Sequence, residues 1–181
     1  MIRHNSLQTF QAYAIARKLD PASTYYRGTI FEYTVQDALG RLGFVLDRCG
    51  GRSDRGMDLR GTFDHDHDRV RVVVSCKAWA KNPGPAHVRE LCGVLHPDPD
   101  PTLNPTLGVL ACTCAATAGT LQAVRQARQP IAIAVVRHGG VAQLAWNQAA
   151  ARLLHNWHAV MVTSGGGADR VRLVRRPPGN A

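Results

Sequence analysis

Apolar residues recur along this chain at two different periods, and the switching between them outlines a fold. In TIFEYTVQDALGRLGF, Phe31, Val35, Ala38, Leu39 and Leu42 share one side of a helical repeat, and Gly40 and Gly43 stand where such a helix stops. Glu32 is set about 100° from Phe31 around that helix, at the margin of the apolar stripe beside Leu39. The period then drops to two. MDLRGTF reads as a short strand with Asp58 inside it, a setting that asks for a reason because aspartate competes with the ladder for backbone hydrogen bonds. The polar connection DHDHD leads into VRVVVSCKAW, where Val70, Val72, Val74 and Cys76 take one face and Arg71, Val73, Ser75 and Lys77 the other. Alternating acid and imidazole in that connection reads as a solvated hairpin loop and is assigned no chemistry.

Downstream, GPAHVRELCGVL predicts a helix with Val88, Leu91, Cys92 and Leu95 on one side, and HPDPDPTLNP a proline-rich surface connection. TLGVLACT and PIAIAVV read as buried strands on either side of a helix, AATAGTLQAVRQAR, and LAWNQAAARLLHNWH as a further helix. Strands alternating with helices predict an α/β domain whose sheet is covered on both faces.

The ends of the chain differ from this middle. Leu7, Phe10, Ala14 and Ile15 are spaced to gather on one side of an N-terminal helix. Arg3, Arg17 and Lys18 precede the first acid, Asp20, so the segment resembles a mitochondrial transit peptide; a plain N-terminal helix is the alternative. TSGGGADRVRLVRRPPGNA reads as a terminal strand and a tail whose arginines form a basic arm able to touch phosphates. The expected organisation is an N-terminal segment over 1–24, a domain over 25–160 and a basic C-terminal strand and tail over 161–181.

Composition narrows the function classes. With 181 residues, 45% hydrophobic and 19% charged, the chain suits one globular domain. Lys plus Arg number 22 against 13 Asp plus Glu, giving +9 and a pI near 10.0, a field that favours nucleic acid or an anionic membrane surface. No apolar run approaches the roughly 20 residues needed to cross a bilayer, so a soluble chain is expected. Five cysteines, odd in number and without a CxxC pair, read as reduced structural thiols in a reducing compartment rather than a zinc site.

Paired through the DHDHD connection, the two strands lie about 4.8 Å apart, so Asp58 and Lys77 can converge on one edge of the sheet. A carboxylate there can ligate a hard cation such as magnesium, and an ammonium beside it can orient water or offset charge on a phosphodiester.

The order Glu32, then DRGMD ending in Asp58, then SCK ending in Lys77 resembles the PD-(D/E)xK nuclease superfamily, and within it the Mrr-like restriction endonuclease branch. Segments from Tyr26 to Val136 look like that branch's successive core elements, and with the basic N-terminus the chain is similar to fungal mitochondrial proteins required for respiratory growth. The resemblance implies a three-layer α/β/α restriction-endonuclease-like fold with a central mixed sheet. It implies a catalytic set of Glu32, Asp58, Ser75 and Lys77, with Asp58, Glu32 and Ser75 around Mg2+ or Mn2+. Ser75 departs from the Gln, Glu or Asp of the pattern, and its short neutral hydroxyl is a poorer ligand. Asp54 matches the first acid of DxGxD, where a turn-forming role is expected. Arg52, Arg55, Lys81, Arg175 and Arg176 are the basic residues expected on nucleic acid. DNA is the expected partner and RNA the alternative. A protein of the same fold that binds without cutting is the competing reading. The implied location is the mitochondrion, with cytoplasm or nucleus as the alternative. No heptad marks a dimer.

Overall fold

In the computed structural model, residues 4–49, 56–65, 68–78, 82–95, 106–137, 140–163 and 169–175 are described, except the side chains of His65 and Asp68. Short polar side chains start four of the helices. Ser6, Ser23, Thr117 and Asn147 accept the backbone N–H of Thr9, Tyr26, Thr120 and Ala150, satisfying donors that a helix's first turn leaves open. The elements run α1 (Leu7–Ala16), α2 (Thr24–Gly40), β1 (Phe44–Arg48), β2 (Leu59–His65), β3 (Asp68–Lys77), α3 (Pro85–Val94) and β4 (Thr106–Cys112). They continue with α4 (Ala118–Gln126), β5 (Ile131–Arg137), β6 (Gly140–Trp146), α5 (Gln148–Leu153), β7 (Trp157–Val162) and β8 (Arg170–Arg175).

The first six strands form one mixed sheet in the order β1-β2-β3-β4-β5-β6. β1, β2 and β3 are antiparallel neighbours, β3, β4 and β5 are parallel, and β6 returns antiparallel to β5. Parallel neighbours require crossovers, and α3 and α4 supply them. β7 and β8 make a separate antiparallel pair. The result is a mixed α/β protein with five helices among the described residues, none of them long and apolar enough to cross a membrane.

The core has two layers because β4 and β5 are apolar on both faces, as strands buried between helices must be. On one face the α2 stripe of Phe31, Val35, Ala38, Leu39 and Leu42 meets Leu59, Phe63, Val70, Val72, Val74, Val109 and Ala134. On the other, Val88, Leu91, Leu95 and Val124 from the α3 and α4 segments cover Leu110, Ile131, Ile133 and Val135. Gly61 lets β1 close on β2, since a Cβ there would stand 1.9 Å from the Val45 carbonyl oxygen.

Four expectations are corrected. FVLDR, not read as a strand, is β1, with Phe44 and Leu46 turned inward and Val45 and Asp47 outward. The helix expected across LAWNQAAARLLHNWH is instead the end of β6, a short α5 and the start of β7. Asn147, 3% exposed, separates them: its Oδ1 accepts the N–H groups of Ile131 and Ala150 and its Nδ2 donates to the carbonyls of Ala127 and Gln129. A side chain tied into the start of β5 cannot be a residue of a helix passing through. Asp58 precedes β2 rather than lying inside it. Ile15 is 79% exposed; α1 meets α2 through Phe10 and Ala14, packed with Tyr33, and Ile15 sits about 100° round from Ala14, on the solvent side.

Candidate functional site

The turn into the site needs glycine: Gly56 has φ +82°, in the left-handed region where a Cβ is strained. Two residues later Asp58 is tied to both neighbouring strands. Its N–H donates to the Val74 carbonyl (2.9 Å), its carbonyl accepts the Cys49 N–H (3.0 Å), and its Oδ2 accepts the Cys76 N–H at 2.6 Å. That contact has the short length of a charge-assisted hydrogen bond and answers why an acid sits here: the carboxylate takes a donor at the end of β3. Lys77 follows Cys76, with its side chain 18% exposed and its Nζ 3.6 Å from Glu90 Oε2 on α3. A stem lying along the protein with its ammonium beside a carboxylate explains why a buried-looking strand can end in lysine.

Glu32 enters from the α2 layer. Its Oε2 accepts a hydrogen bond from Arg48 Nε at the end of β1, and both side chains are largely buried. The same guanidinium stands over the Tyr33 ring, 5.9 Å from its centroid. Cys76 packs against the α2-side core. Burial pushes its thiol well above the ordinary range; the Asp58 carboxylate and then that of Glu32 push it further, while the Lys77 ammonium draws it down. Ser75 is 4% exposed, so its hydroxyl belongs to the interior.

Of the remaining expected residues, Arg175 is exposed at the end of β8, in the two-stranded sheet, where it pairs with Trp157. Arg52, Asp54, Arg55, Trp79, Lys81 and Arg176 lie outside the described residues.

Arg48 and Glu90 had no role assigned from sequence, and Cys76 was read only as a structural thiol. Arg48 was legible in principle, because Phe44, Leu46 and Arg48 keep a period of two that sends all three to the α2 side. Glu90 carried no such signal; only the placement of α3 beside β3 brings it to Lys77.

Among the described residues, no three or more His, Cys, Asp or Glu side chains are grouped to hold a metal ion. The donors present are the Asp58 carboxylate, the Glu32 carboxylate bound by Arg48, and the Ser75 hydroxyl. Such a set fits a magnesium ion held by one or two carboxylates that takes its other oxygens from water and phosphate. It does not fit a cage made of protein ligands alone.

The chain is a mixed α/β protein in which Asp58, just before β2, holds the end of β3 at Cys76, beside Lys77. The sequence profile of the family described as Required for respiratory growth protein 7 matches residues 23–69 and 64–162, and the chain belongs to that family. A mitochondrial protein of Schizosaccharomyces pombe is 35% identical over 156 residues, covering 82% of this chain and 62% of the relative. The chain thus spans less than two thirds of that relative's length. No solved structure matches the chain. Family membership connects the protein to respiratory growth, in agreement with the mitochondrial character expected from its N-terminal charge pattern.

Proposed function

We propose that the protein is a metal-dependent nuclease of the PD-(D/E)xK superfamily, with a restriction-endonuclease-like fold, that hydrolyses phosphodiester bonds of DNA in the mitochondrion to support respiratory growth. The observation that supports this reading is the hydrogen bond from the Cys76 N–H to the Asp58 carboxylate, which holds the aspartate beside the strand end that carries Lys77. Asp58 would hold a magnesium or manganese ion, with water and phosphate completing the shell; such an ion polarises a phosphodiester and acidifies a bound water. Asp58 is held by backbone bonds to β1 and β3, which keeps its carboxylate in place without substrate. Lys77 presents an ammonium that can orient the attacking water or offset charge developing on phosphorus. Lysine is a pointed choice in this chain: the 22 basic residues include only three lysines, Lys18, Lys77 and Lys81. A compact ammonium, whose proton affinity responds to its surroundings, differs in kind from a guanidinium.

Two observations favour a second reading, a protein of the same fold that binds nucleic acid without cutting it. Arg48 engages the Glu32 carboxylate, and Ser75 replaces a stronger ligand.

Supercoiled DNA and an RNA of matching sequence, incubated with the protein across a magnesium and manganese titration, separate the readings. The nuclease reading expects scission that falls at least about 10²-fold in Asp58→Asn and Lys77→Met, with binding kept. Wild-type protein that binds DNA and leaves it intact at every metal concentration overturns the nuclease and supports the binder. Cleavage of RNA alone reassigns the polymer.

A further inference from the structure

We propose that the outward face of β1, β2 and β3 is a docking groove for a nucleic-acid strand, held through its phosphates by Arg60, Arg69 and Arg71. The inference rests on the nucleic-acid reading above and adds a surface separate from the Asp58 and Lys77 cluster. α2 covers one face of these strands; on the other, α3 and α4 lie over β4 and β5. A cavity of about 780 Å³ opens there, with Leu95, just past α3, on one wall and the strand face as its floor.

The arginines are placed by strand register. Arg60 faces Val73 across the β2–β3 ladder and Thr62 faces Arg71, so Arg60 and Arg71 are diagonal neighbours, about 7–8 Å apart. Arg69 follows one pair further on, opposite Asp64. Among the described residues that line the groove, Asp47 is the carboxylate and Arg60, Arg69 and Arg71 are the guanidiniums. Asp64, at the rim, is engaged by the Thr62 hydroxyl (2.8 Å) and by Arg69 (3.5 Å). The Arg69 pair is solvent-exposed on both sides and so is worth little against an incoming phosphate.

Guanidinium forks match phosphate oxygens two at a time. The groove is concave, so a flexible strand can enter it while a flat bilayer meets only its rim.

The test measures binding of a fluorescent single-stranded DNA, and its RNA counterpart, to the full chain in EDTA over a range of salt. Replacing Arg60, Arg69 and Arg71 together by glutamine is expected to weaken binding at least about tenfold. It should also flatten the slope of log affinity against log salt by about 2, the loss of three phosphate contacts on a single strand. The single variant Arg60→Glu, at an exposed site, should move both quantities the same way if the triple variant folds poorly. Unchanged affinity and slope overturn the groove, whether or not the wild type cuts DNA. Loss of binding to anionic-lipid vesicles with oligonucleotide binding intact overturns it as well. Absence of scission alongside the expected salt-slope change instead sinks the nuclease reading and leaves the groove standing.

Discussion

Asp58 and Cys76 are joined by a 2.6 Å hydrogen bond from the Cys76 backbone N–H to the Asp58 carboxylate, across 18 residues of sequence. The bond gives the aspartate a structural duty besides any chemistry. Asp58→Ala should therefore lower unfolding stability by about 1–3 kcal/mol, because a half-buried donor loses its acceptor. Asp58→Asn keeps an oxygen at that place and should cost no more than about 1 kcal/mol. Urea unfolding of the two variants checks the order; equal losses would mean that the bond does not hold the strand end.

Acid should loosen the packing of α1. His4 Nδ1 lies 2.8 Å from Tyr33 Oη, whose hydroxyl donates to the His4 carbonyl, and the ring stacks edge-on against Phe10. Burial, followed by the Arg48 charge, lowers the His4 pKa below its usual 6.5. The folded chain then binds fewer protons than the unfolded chain just below pH 6.5, so stability rises with pH across that window and is lost on acidification through the folded pKa. The urea midpoint should fall from neutral pH to pH values below 6.5, and His4→Gln should remove the part of that slope due to His4.

Asn147 satisfies four backbone groups from inside the core, two with its oxygen and two with its amide nitrogen. Asn147→Ala should cost about 2–4 kcal/mol, combining a lost helix cap with stranded donors and acceptors. Asn147→Asp should be comparably damaging, because a carboxylate would face the Ala127 and Gln129 carbonyls in place of a donor. Thermal unfolding of both variants is the measurement.

The elements most legible in the sequence are those whose burial pattern repeats along the chain itself. The α2 stripe, the alternation in β3 and the unbroken apolar runs of β4 and β5 all stand where periodicity puts them. β1 escaped because five residues directly after a helix, with Asp47 and Arg48 among them, form too short a repeat to register. β6 and β7 escaped for a different reason. The stretch from Leu144 to His158 is rich in helix formers, and strand pairing of Ala132–Val135 with Gln143–Trp146 outweighs that local preference. In the site, the residues that act on one another were legible as types and in their order. Their immediate partners, Arg48 for Glu32 and Glu90 for Lys77, were not.

From its sequence alone this protein had a basic surface, apolar periods for helices and strands, and an ordered series of glutamate, aspartate and lysine, because each is a property of composition or of neighbouring residues. Tertiary structure alone decided that Glu32 would meet Arg48, that Asp58 would secure Cys76, and that three arginines would line one groove of the sheet. Those relations depend on strand register and helix placement, where a shift of one residue turns a side chain to the opposite face.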